Sequence, residues 1–251
     1  MTATPPLRRI RAGVDRIPAG LALPRHRHVD AYVTVILAGA YEQAGYAGRL
    51  AVQAGDILLQ PTMDCHSDVM KSRGVELLRV HWNWTPGFGG IYRGGDVEAI
   101  RRAAQKGDGE AEHLLTRVFS RQTPVTTLAD WEDELALRLR DGTARISLLA
   151  AGLGLTREAA SRGFTRAYGV SPAAFRNELR ARAAWLQIRA TRRRLCDIAA
   201  ETGFADQPHM TRAISKMLGA SPAHWRTAST PFSPEITFVQ DQPSRQTKLE
   251  E

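Results

Sequence analysis

Length, cysteine content and hydropathy narrow the class of protein. The chain has 251 residues, enough for two domains that each bury a core, and its two cysteines, Cys65 and Cys196, exclude a disulfide framework. Its uncharged apolar runs are shorter than the roughly 18 residues of a membrane span, and the arginines near the N-terminus precede no signal-peptide core. We therefore expect a soluble, cytoplasmic protein.

The positive charge is concentrated in one part of the chain. Residues 1–135 contain 16 basic and 16 acidic side chains, residues 136–229 contain 16 and 6, and residues 230–251 contain 2 and 4. In the middle segment, 15 of the 16 basic residues are arginine, which suits bidentate contacts to phosphate and guanine. This distribution predicts that residues 136–229 bind double-stranded DNA.

The N-terminal region has the composition of β-structure. Apolar, β-branched runs separated by Gly, Pro and Asp predict strands at 33–37, 50–52, 57–59 and 75–82. The first of these is expected to end at Gly39. Short strands of this kind over about eighty residues indicate a small antiparallel barrel or jelly roll.

Helical patterns begin at about residue 96. We predict helices at 96–105 and 109–121. The second carries an apolar stripe formed by Ala111, Leu114, Leu115 and Val118. This stripe could pack on the barrel or form a homodimer interface, and the sequence does not separate the two. Residues 123–128 are the predicted linker, and a helix with an acidic first turn is expected from near Asp130 to Arg140.

A short pattern occurs twice in the basic segment. The copies align through residues 150–154 and 199–203, through 164–169 and 214–219, and through the Ser-Pro pairs at 171–172 and 221–222. The offset between them is 49 residues at the first glycine and 50 at the second. Alanine lets two helices approach closely, and glycine permits a tight turn between them. Each copy is therefore predicted to be a helix-turn-helix.

The second helix of each copy, here called its recognition helix, is expected to enter the major groove and read base edges with its N-terminal residues. Thr156 and Asp206 are the predicted N-caps of these helices. Between the copies, residues 173–190 are predicted to form one long helix. Two readers on one such helix can enter successive major grooves roughly 34 Å apart.

Residues 203–212 and 219–226, with the sequences GFADQPHMTR and GASPAHWR, resemble the DNA-binding domain of the AraC/XylS family of bacterial transcription regulators. The resemblance covers residues 136–229. It implies a one-component regulator with a cupin-like effector domain ahead of the DNA-binding domain. The implied partners are a double-stranded DNA operator and RNA polymerase.

By position, the resemblance implies base-edge or nearby contacts from Arg157, Glu158, Ser161, Arg162 and Thr165 in copy one, and from Gln207, His209, Thr211 and Arg212 in copy two. Arg162 and Arg212 could equally contact phosphate or form an intradomain salt bridge, and Glu158 could be a solvated charge. Gly163 stands where the family usually has a bulkier apolar residue. We expect it to cost its helix up to about 1 kcal/mol and to make copy one the weaker reader.

Two stretches of the N-terminal region, residues 20–28 and 55–66, resemble the two short motifs of the cupin barrel. Because alternate residues of a strand face the same side, His26 and His28 should share one face. With His66 from the second motif they could form a three-imidazole site. Such a site suits a divalent transition metal, namely Zn, Fe, Ni or Cu.

The chain also departs from the cupin pattern. Tyr32 stands where metal-binding cupins have a glutamate ligand, and Met63 and Met70 stand where glycine and asparagine are expected. Arg25 and Arg27 should point to the face opposite the histidines. The alternative is that the three histidines line a pocket for an organic effector, so a cofactor is left open at this point.

The predicted fold class is α+β, with a cupin-like antiparallel barrel followed by an all-α domain in which a long helix joins two helix-turn-helix motifs. The predicted parts are a cupin-like sensor with a helical segment at 1–122, a linker and the start of a helix at 123–135, the DNA-binding domain at 136–229, and a tail at 230–251.

The predicted function is a sequence-specific transcription regulator, not an enzyme, whose cupin domain senses a small ligand or a metal and modulates DNA binding. One alternative is a metal-dependent cupin oxygenase or isomerase with a DNA-binding appendage, which needs open coordination positions on its metal. A second alternative is an architectural DNA-binding protein with a vestigial barrel.

Overall fold

A computed structural model describes residues 7–8, 12–82, 87–107, 109–125, 130–142 and 144–227. Within these residues the N-terminal half forms one sheet of almost entirely antiparallel strands. The strands are β1 (Leu7–Arg8), β2 (Gly13–Ile17), β3 (Ala22–His28), β4 (Tyr32–Gly45), β5 (Gly48–Gln53), β6 (Ile57–Gln60), β7 (Cys65–His81) and β8 (Gly90–Tyr92). The predicted tail and residues 126–129 of the predicted linker lie outside the described residues.

The long strand β7 is the centre of this sheet. It pairs with β2 and β3 on one side and with β4 on the other. Strand β4 in turn pairs with β5 and β6, and β8 extends the sheet beyond β6. The short strand β1 lies parallel to β3. The prediction of an antiparallel β-region ahead of a helical region is confirmed.

Strand β4 does not end at Gly39, contrary to the prediction. Gly39 has a φ of +80°, and a Cβ there would run into the backbone carbonyl of Gly74. The register between β4 and β7 shifts between Ile36 and Ala38, and again between Gly39 and Tyr41. Glycine therefore bends a continuous strand here, because it allows two backbones to approach closely.

Two helices, α1 (Val97–Lys106) and α2 (Glu110–Arg121), follow the sheet as predicted. The apolar stripe of α2 packs on the sheet. Leu115 is fully buried there, and Leu114 and Val118 lie against the same cluster of strand residues. This is the packing alternative for the stripe, and a homodimer through residues 109–121 stays a prediction.

The C-terminal half consists of α3 (Trp131–Asp141), α4 (Ile146–Ala151), α5 (Arg157–Tyr168), α6 (Pro172–Ala190), α7 (Leu195–Glu201), α8 (Gln207–Leu218) and α9 (Pro222–Thr227). The predicted caps are confirmed: the side chains of Thr156 and Asp206 accept backbone N–H hydrogen bonds at 3.1 and 2.6 Å. Gly169 and Gly219 end α5 and α8 with φ of 71° and 73°. The pairs α4–α5 and α7–α8 are thus two helix-turn-helix units joined by α6.

Both helix-turn-helix units share their cores with the sheet. The first core is built around Phe164 and Phe175 and includes Tyr46. The second is built around Trp185 and includes Met63. Helix α6 is 19 residues long and contributes to both cores, so the sheet packs along much of its length. None of the described helices has the length and apolar content to cross a membrane.

Gly163 has a packing role that the sequence did not indicate. A Cβ at this position of α5 would collide with the indole ring of Trp131, at the start of α3. The absence of a side chain at Gly163 therefore lets α3 and α5 pack closely. What the helix loses in propensity is offset by burial of apolar surface between the two helices.

Candidate functional site

Helix α5 is amphipathic, with one face in the core and the other exposed. Ala160, Phe164 and Tyr168 are buried at intervals of one helical turn. Of the residues predicted to contact DNA, Arg157, Glu158, Arg162 and Thr165 are exposed, and Ser161 is partly buried. All five therefore lie outside the buried row of α5.

Helix α8 has the same organisation. Met210 and Ile214 are fully buried, whereas Gln207 and Arg212 are exposed. His209 and Thr211 are partly buried, and the ring of His209 lies edge-on to Phe204 at a centroid distance of 5.2 Å. Part of the His209 side chain is thus committed to packing within the second helix-turn-helix.

For Arg162 and Arg212, two of the three arginines predicted to contact DNA, an intradomain salt bridge was the alternative. Among the described residues, neither Arg162 nor Arg212 forms an ion pair or a side-chain hydrogen bond. The salt-bridge alternative for these side chains is therefore not what the structure has. Contact with a base and contact with a phosphate remain the two predictions for each.

The three predicted histidines come together. Strand β3 pairs with β7 so that His26 lies opposite His66, and His28 follows on the same face of β3. Their ring centroids are 4.6 to 5.1 Å apart. One ring nitrogen from each lies within 4.8 Å of the others, and all three residues are buried. The prediction that these residues share a site thus agrees with the geometry.

The hydrogen bonds of two of these rings fix their orientation. Nδ1 of His26 is 2.9 Å from the carbonyl oxygen of Pro24, and Nδ1 of His66 is 2.8 Å from a carboxylate oxygen of Asp64. Both oxygens can only accept, so each Nδ1 donates its proton and a neutral ring keeps its lone pair on Nε2. Metal-binding histidines in proteins are oriented in this way.

Asp68 adds a carboxylate to the cluster, and sequence reasoning missed it. Its Oδ2 lies 3.7 Å from Nε2 of His66 and 4.0 Å from Nε2 of His26. Asp68 lies two residues after His66 on β7, so the two side chains share a face just as His26 and His28 do on β3. The His-x-Asp spacing was the available signal. Tyr32, at the position of the expected glutamate, instead packs edge-on against His28.

The carboxylates give this buried site a preference for positive charge. Burial alone would lower the pKa of His66, but the charge of Asp68 and the hydrogen bond and charge of Asp64 raise it above its ordinary value. Burial would likewise raise the pKa of Asp64, yet the hydrogen bond from His66 holds it below its usual range. A cation at Nε2 of His66 would take the place of a proton that these groups already favour.

The opposite face of β3 binds the helical half. Nη2 of Arg25 lies 2.7 Å from Oε2 of Glu178 on α6, and Nη2 of Arg27 lies 3.8 Å from the same oxygen. The hydroxyl of Tyr46 donates to that oxygen at 3.2 Å. Arg25 also donates to the carbonyl oxygen of Tyr168 at the end of α5. We call this set of contacts the Glu178 bridge.

A second contact lies about one helical turn further along α6. Nε of Arg182 donates to the carbonyl oxygen of Thr62 at 2.9 Å, and Nη2 donates to the carbonyl oxygen of Gly87 at 2.7 Å. Thr62 belongs to the loop that leads into β7. Met63 in the same loop has a φ of 60° and is buried in the core of the second helix-turn-helix. This loop continues directly into Asp64, the partner of His66.

A third contact joins β5 to α3. Nε of Arg49 donates to Oδ1 of Asp133 at 3.0 Å, and its Nη2 also binds Asp130. Asp133 is fully buried and accepts a further hydrogen bond from the hydroxyl of Tyr168. We call this set the Asp133 bridge. No histidine of the cluster lies on β5.

Comparison with known sequences identifies the helical half. Residues 149–228 match a family described as a helix-turn-helix domain. This range begins within α4 and contains α5, the long helix α6 and the whole of the second helix-turn-helix unit. The C-terminal region is therefore a helix-turn-helix domain of the AraC type. No curated protein sequence matches the chain.

Several solved structures are similar. ToxT from Vibrio cholerae is 10% identical, with 86% of this chain and 97% of that chain covered and a TM-score of 0.38. A probable AraC family transcriptional regulator from Rhodopseudomonas palustris is 24% identical over 40% of this chain and 94% of that one, with a TM-score of 0.35. The DNA-binding domain of AdpA, solved with a target DNA, is 23% identical over 40% and 93%, with a TM-score of 0.37.

Proposed function

We propose that this chain, with its AraC-type helix-turn-helix domain, is a sequence-specific transcription regulator whose sheet domain binds a divalent transition-metal ion as effector. The observation that carries the proposal is the buried cluster of His26, His28 and His66 with Asp68 beside it, in a sheet that packs directly on α6. An ion bound in this cluster would therefore lie close to the DNA-binding domain whose affinity for DNA it regulates.

The donors fit such an ion. Imidazole nitrogens with one carboxylate oxygen suit Zn and its first-row neighbours. Oδ2 of Asp68 lies 4.0 Å from Nε2 of His26 and 3.7 Å from Nε2 of His66, close to the separation of about 3.3 Å between ligands in a tetrahedral site with bonds of about 2.0 Å. Asp64 and the carbonyl of Pro24 supply the outer hydrogen bonds that such ligands need.

This donor set favours a sensor over an enzyme. A catalytic zinc site keeps one position for water or substrate, whereas a site with four protein ligands is closed. Asp68 would complete the set that the three histidines begin. A buried, closed site holds an ion tightly without offering it to a substrate, as metal-dependent regulation requires.

The DNA-reading half of the proposal rests on charge and exposure. Residues 136–229 hold 16 basic side chains against 6 acidic ones, and both recognition helices, α5 and α8, expose the predicted contact residues. Helix α6 has 19 residues and spans about 28 Å, which is comparable with one turn of duplex DNA. The two readers are therefore proposed to enter successive major grooves.

The metal part of the proposal is tested by titrating purified, chelator-treated protein with Zn²⁺, Ni²⁺ and Co²⁺ in a calorimeter. We expect one ion per chain, and we expect His26→Ala combined with His28→Ala to abolish its binding. His113→Ala, which removes an exposed histidine of α2, is the matched control and should leave binding unchanged. Wild-type protein that binds none of the three ions would refute a metal effector.

The DNA part is tested independently. A duplex bound by the full chain is selected from a random library and its affinity compared with that of a scrambled duplex, with and without the metal. We expect selective binding whose affinity falls steeply with salt. Equal affinity for the selected and scrambled duplexes at moderate salt would refute sequence-specific recognition, whatever the metal result.

A further inference from the structure

We infer that strand β3 and the Glu178 bridge couple the metal site to the DNA-binding helices. The inference rests on the proposed function and assigns the regulation of that same site. Three features of the structure support it. One strand contributes side chains to both sites, one carboxylate on α6 binds the side chains on the other face of that strand, and the histidines must move closer together to share an ion.

The first step is the alternation of side chains along β3. His26 and His28 face the metal site, and Arg25 and Arg27 face α6, so four consecutive residues alternate between the two. All four are buried. A backbone shift that moves one pair therefore moves the other, because close-packed surroundings on both faces leave the side chains little room to compensate.

The second step is the convergence on Glu178. Arg25, Arg27 and Tyr46 all approach the same oxygen, Oε2, and the side chains of Arg25 and Glu178 are only 6% and 14% exposed. A buried ion pair is sensitive to geometry, because its attraction must offset the cost of removing two charges from water. Glu178 lies on α6 within the range that joins the two readers, so its position affects both of them.

The third step is the contraction that shared coordination requires. The candidate ligand atoms of His26, His28 and His66 lie within 4.8 Å of one another, whereas neighbouring ligands of a tetrahedral ion are about 3.3 Å apart. The three ligand atoms must therefore close by up to about 1.5 Å, the difference between these separations, and the packed strands β3 and β7 that carry them move with them. The register between them is already irregular between Leu23 and His26, which gives this part of β3 the freedom to move.

A parallel connection runs from β7. Asp64 binds the ring of His66, and its loop presents the carbonyl of Thr62 to Arg182 of α6. The backbone N–H of His28 also donates to the carbonyl oxygen of Asp64, so the same loop is tied to β3. Contraction of the site thus acts on α6 at both Glu178 and Arg182. Small shifts of this kind can be amplified where packed elements have two discrete arrangements.

The Asp133 bridge provides an internal control. It also joins the sheet to the helices through a buried carboxylate and an arginine, but its arginine, Arg49, lies on β5. Breaking either bridge weakens the contact between the two halves. Of these two bridges, only the Glu178 bridge lies on a strand that carries the histidines, so its loss should lower the coupling and loss of the Asp133 bridge should not.

The experiment measures a thermodynamic coupling factor on the full chain. The Kd for Zn²⁺ is measured with and without the selected duplex, and the Kd for the duplex with and without Zn²⁺. The two ratios must agree because binding linkage is reciprocal, and allosteric factors are typically between about 5 and 150. We expect a wild-type factor in this range, a clearly lower factor in Glu178→Gln, and an unchanged factor in Arg49→Gln.

Glu178→Gln should alter the Kd for Zn²⁺ in DNA-free protein by less than about threefold, since Glu178 is not a ligand. Tyr46→Phe is the milder second variant, which removes one hydrogen bond to the same carboxylate and should lower the factor part of the way. It decides the question if Glu178→Gln does not fold. A full wild-type factor in Glu178→Gln, or in Tyr46→Phe where that variant decides, would overturn the inference.

Three further outcomes distinguish the coupling through β3, coupling in general and the metal site itself. Equal loss of coupling in Glu178→Gln and Arg49→Gln would overturn the assignment to β3 and point to the domain contact as a whole. Zn²⁺ binding in wild type with no change in DNA affinity would overturn the coupling and leave the metal site standing. Absence of Zn²⁺ binding in wild type would refute the proposed effector itself, and is visible in the first titration alone.

Discussion

The hydroxyl of Tyr168, the last residue of α5, donates a 2.6 Å hydrogen bond to Oδ1 of Asp133 on α3. Asp133 is fully buried and also accepts from Arg49 of the sheet. The carboxylate of Asp133 on α3 therefore joins the end of α5 and strand β5 of the sheet in one hydrogen-bond network. A buried carboxylate of this kind depends on each of its donors, because a lost hydrogen bond is not replaced by water.

Tyr168→Phe should therefore destabilise the protein. Loss of a hydrogen bond to a charged, buried acceptor costs about 1.5 to 3 kcal/mol of the free energy of unfolding. Tyr92→Phe is the control, since the hydroxyl of Tyr92 forms no hydrogen bond with the described residues, and it should change stability by less than about 0.5 kcal/mol. Urea denaturation measures both, and equal midpoints for the two variants would contradict the role of the network.

The contact between Gly163 and Trp131 predicts that Gly163→Ala lowers the stability of the wild type but raises it when the indole of Trp131 is absent. Gly163→Ala in wild type should destabilise despite the better helix propensity of alanine, because its Cβ meets the indole. In a Trp131→Ala background the clash is gone, and the same substitution should stabilise by up to about 1 kcal/mol. A thermal or urea double-mutant cycle gives both values. A stabilising Gly163→Ala in wild type would show that the indole does not constrain the helix.

The helical half could be predicted from the sequence because its signals are local. Thr156 and Asp206 identify two helix starts, and Gly169 and Gly219 identify the ends, each through chemistry confined to one turn. Strand β4 could not be bounded in this way. Whether Gly39 ends a strand or bends it depends on Gly74, which is distant in sequence and close in space.

The candidate site could be predicted only in part, because only some of its residues belong to a local sequence pattern. His26, His28 and His66 follow a known spacing, whereas Asp68 fits no motif, and its relevance depends on the register of β3 against β7. The Glu178 bridge joins residues about 150 positions apart, for which the sequence offers no pattern. Long-range polar contacts are specified by the packed fold, so they become visible only when the fold is known.

The two cysteines should differ sharply in reactivity. Burial raises the pKa of Cys65 to about 12, whereas Cys196 is partly exposed on α7. At pH 8 the Cys65 thiol stays protonated and shielded, so iodoacetamide should label the native chain once, at Cys196. In denaturant, Cys65 should become exposed and the chain should be labelled twice. Intact and peptide mass spectra measure this, and rapid native labelling at Cys65 would mean that the core between the sheet and α6 opens readily.

The hydrogen bond between Asp64 and His66 should strengthen the affinity of the proposed site for a metal ion. Asp64→Asn removes the charge that orients and polarises His66, and loss of such an outer partner weakens metal binding by about 10- to 100-fold. Glu42→Gln is the control, because it removes a carboxylate from an exposed pair with Lys71 across β4 and β7, away from the histidines. Competition with a chromophoric chelator gives both Kd values for Zn²⁺. An unchanged Kd in Asp64→Asn would exclude His66 as an oriented ligand.

Substitution of Arg212 should distinguish a base contact from a phosphate contact at the second recognition helix. The side chain is exposed on α8 and forms no ion pair with the described residues, so its substitution should leave the fold intact and test the predicted DNA contact alone. If Arg212 reads a base, Arg212→Ala should cost about 1 to 3 kcal/mol on the selected duplex and relax selectivity at one position.

A phosphate contact would give a different result. Affinity would then fall by the same factor for every duplex, and the slope of log K against log salt would decrease by about one. Lys106→Ala, on the exposed end of α1, is the charge-matched control and should affect neither quantity. Affinities measured over a panel of single-base variants at several salt concentrations separate the two modes. Unchanged binding of Arg212→Ala to every duplex would mean that this end of α8 does not contact DNA.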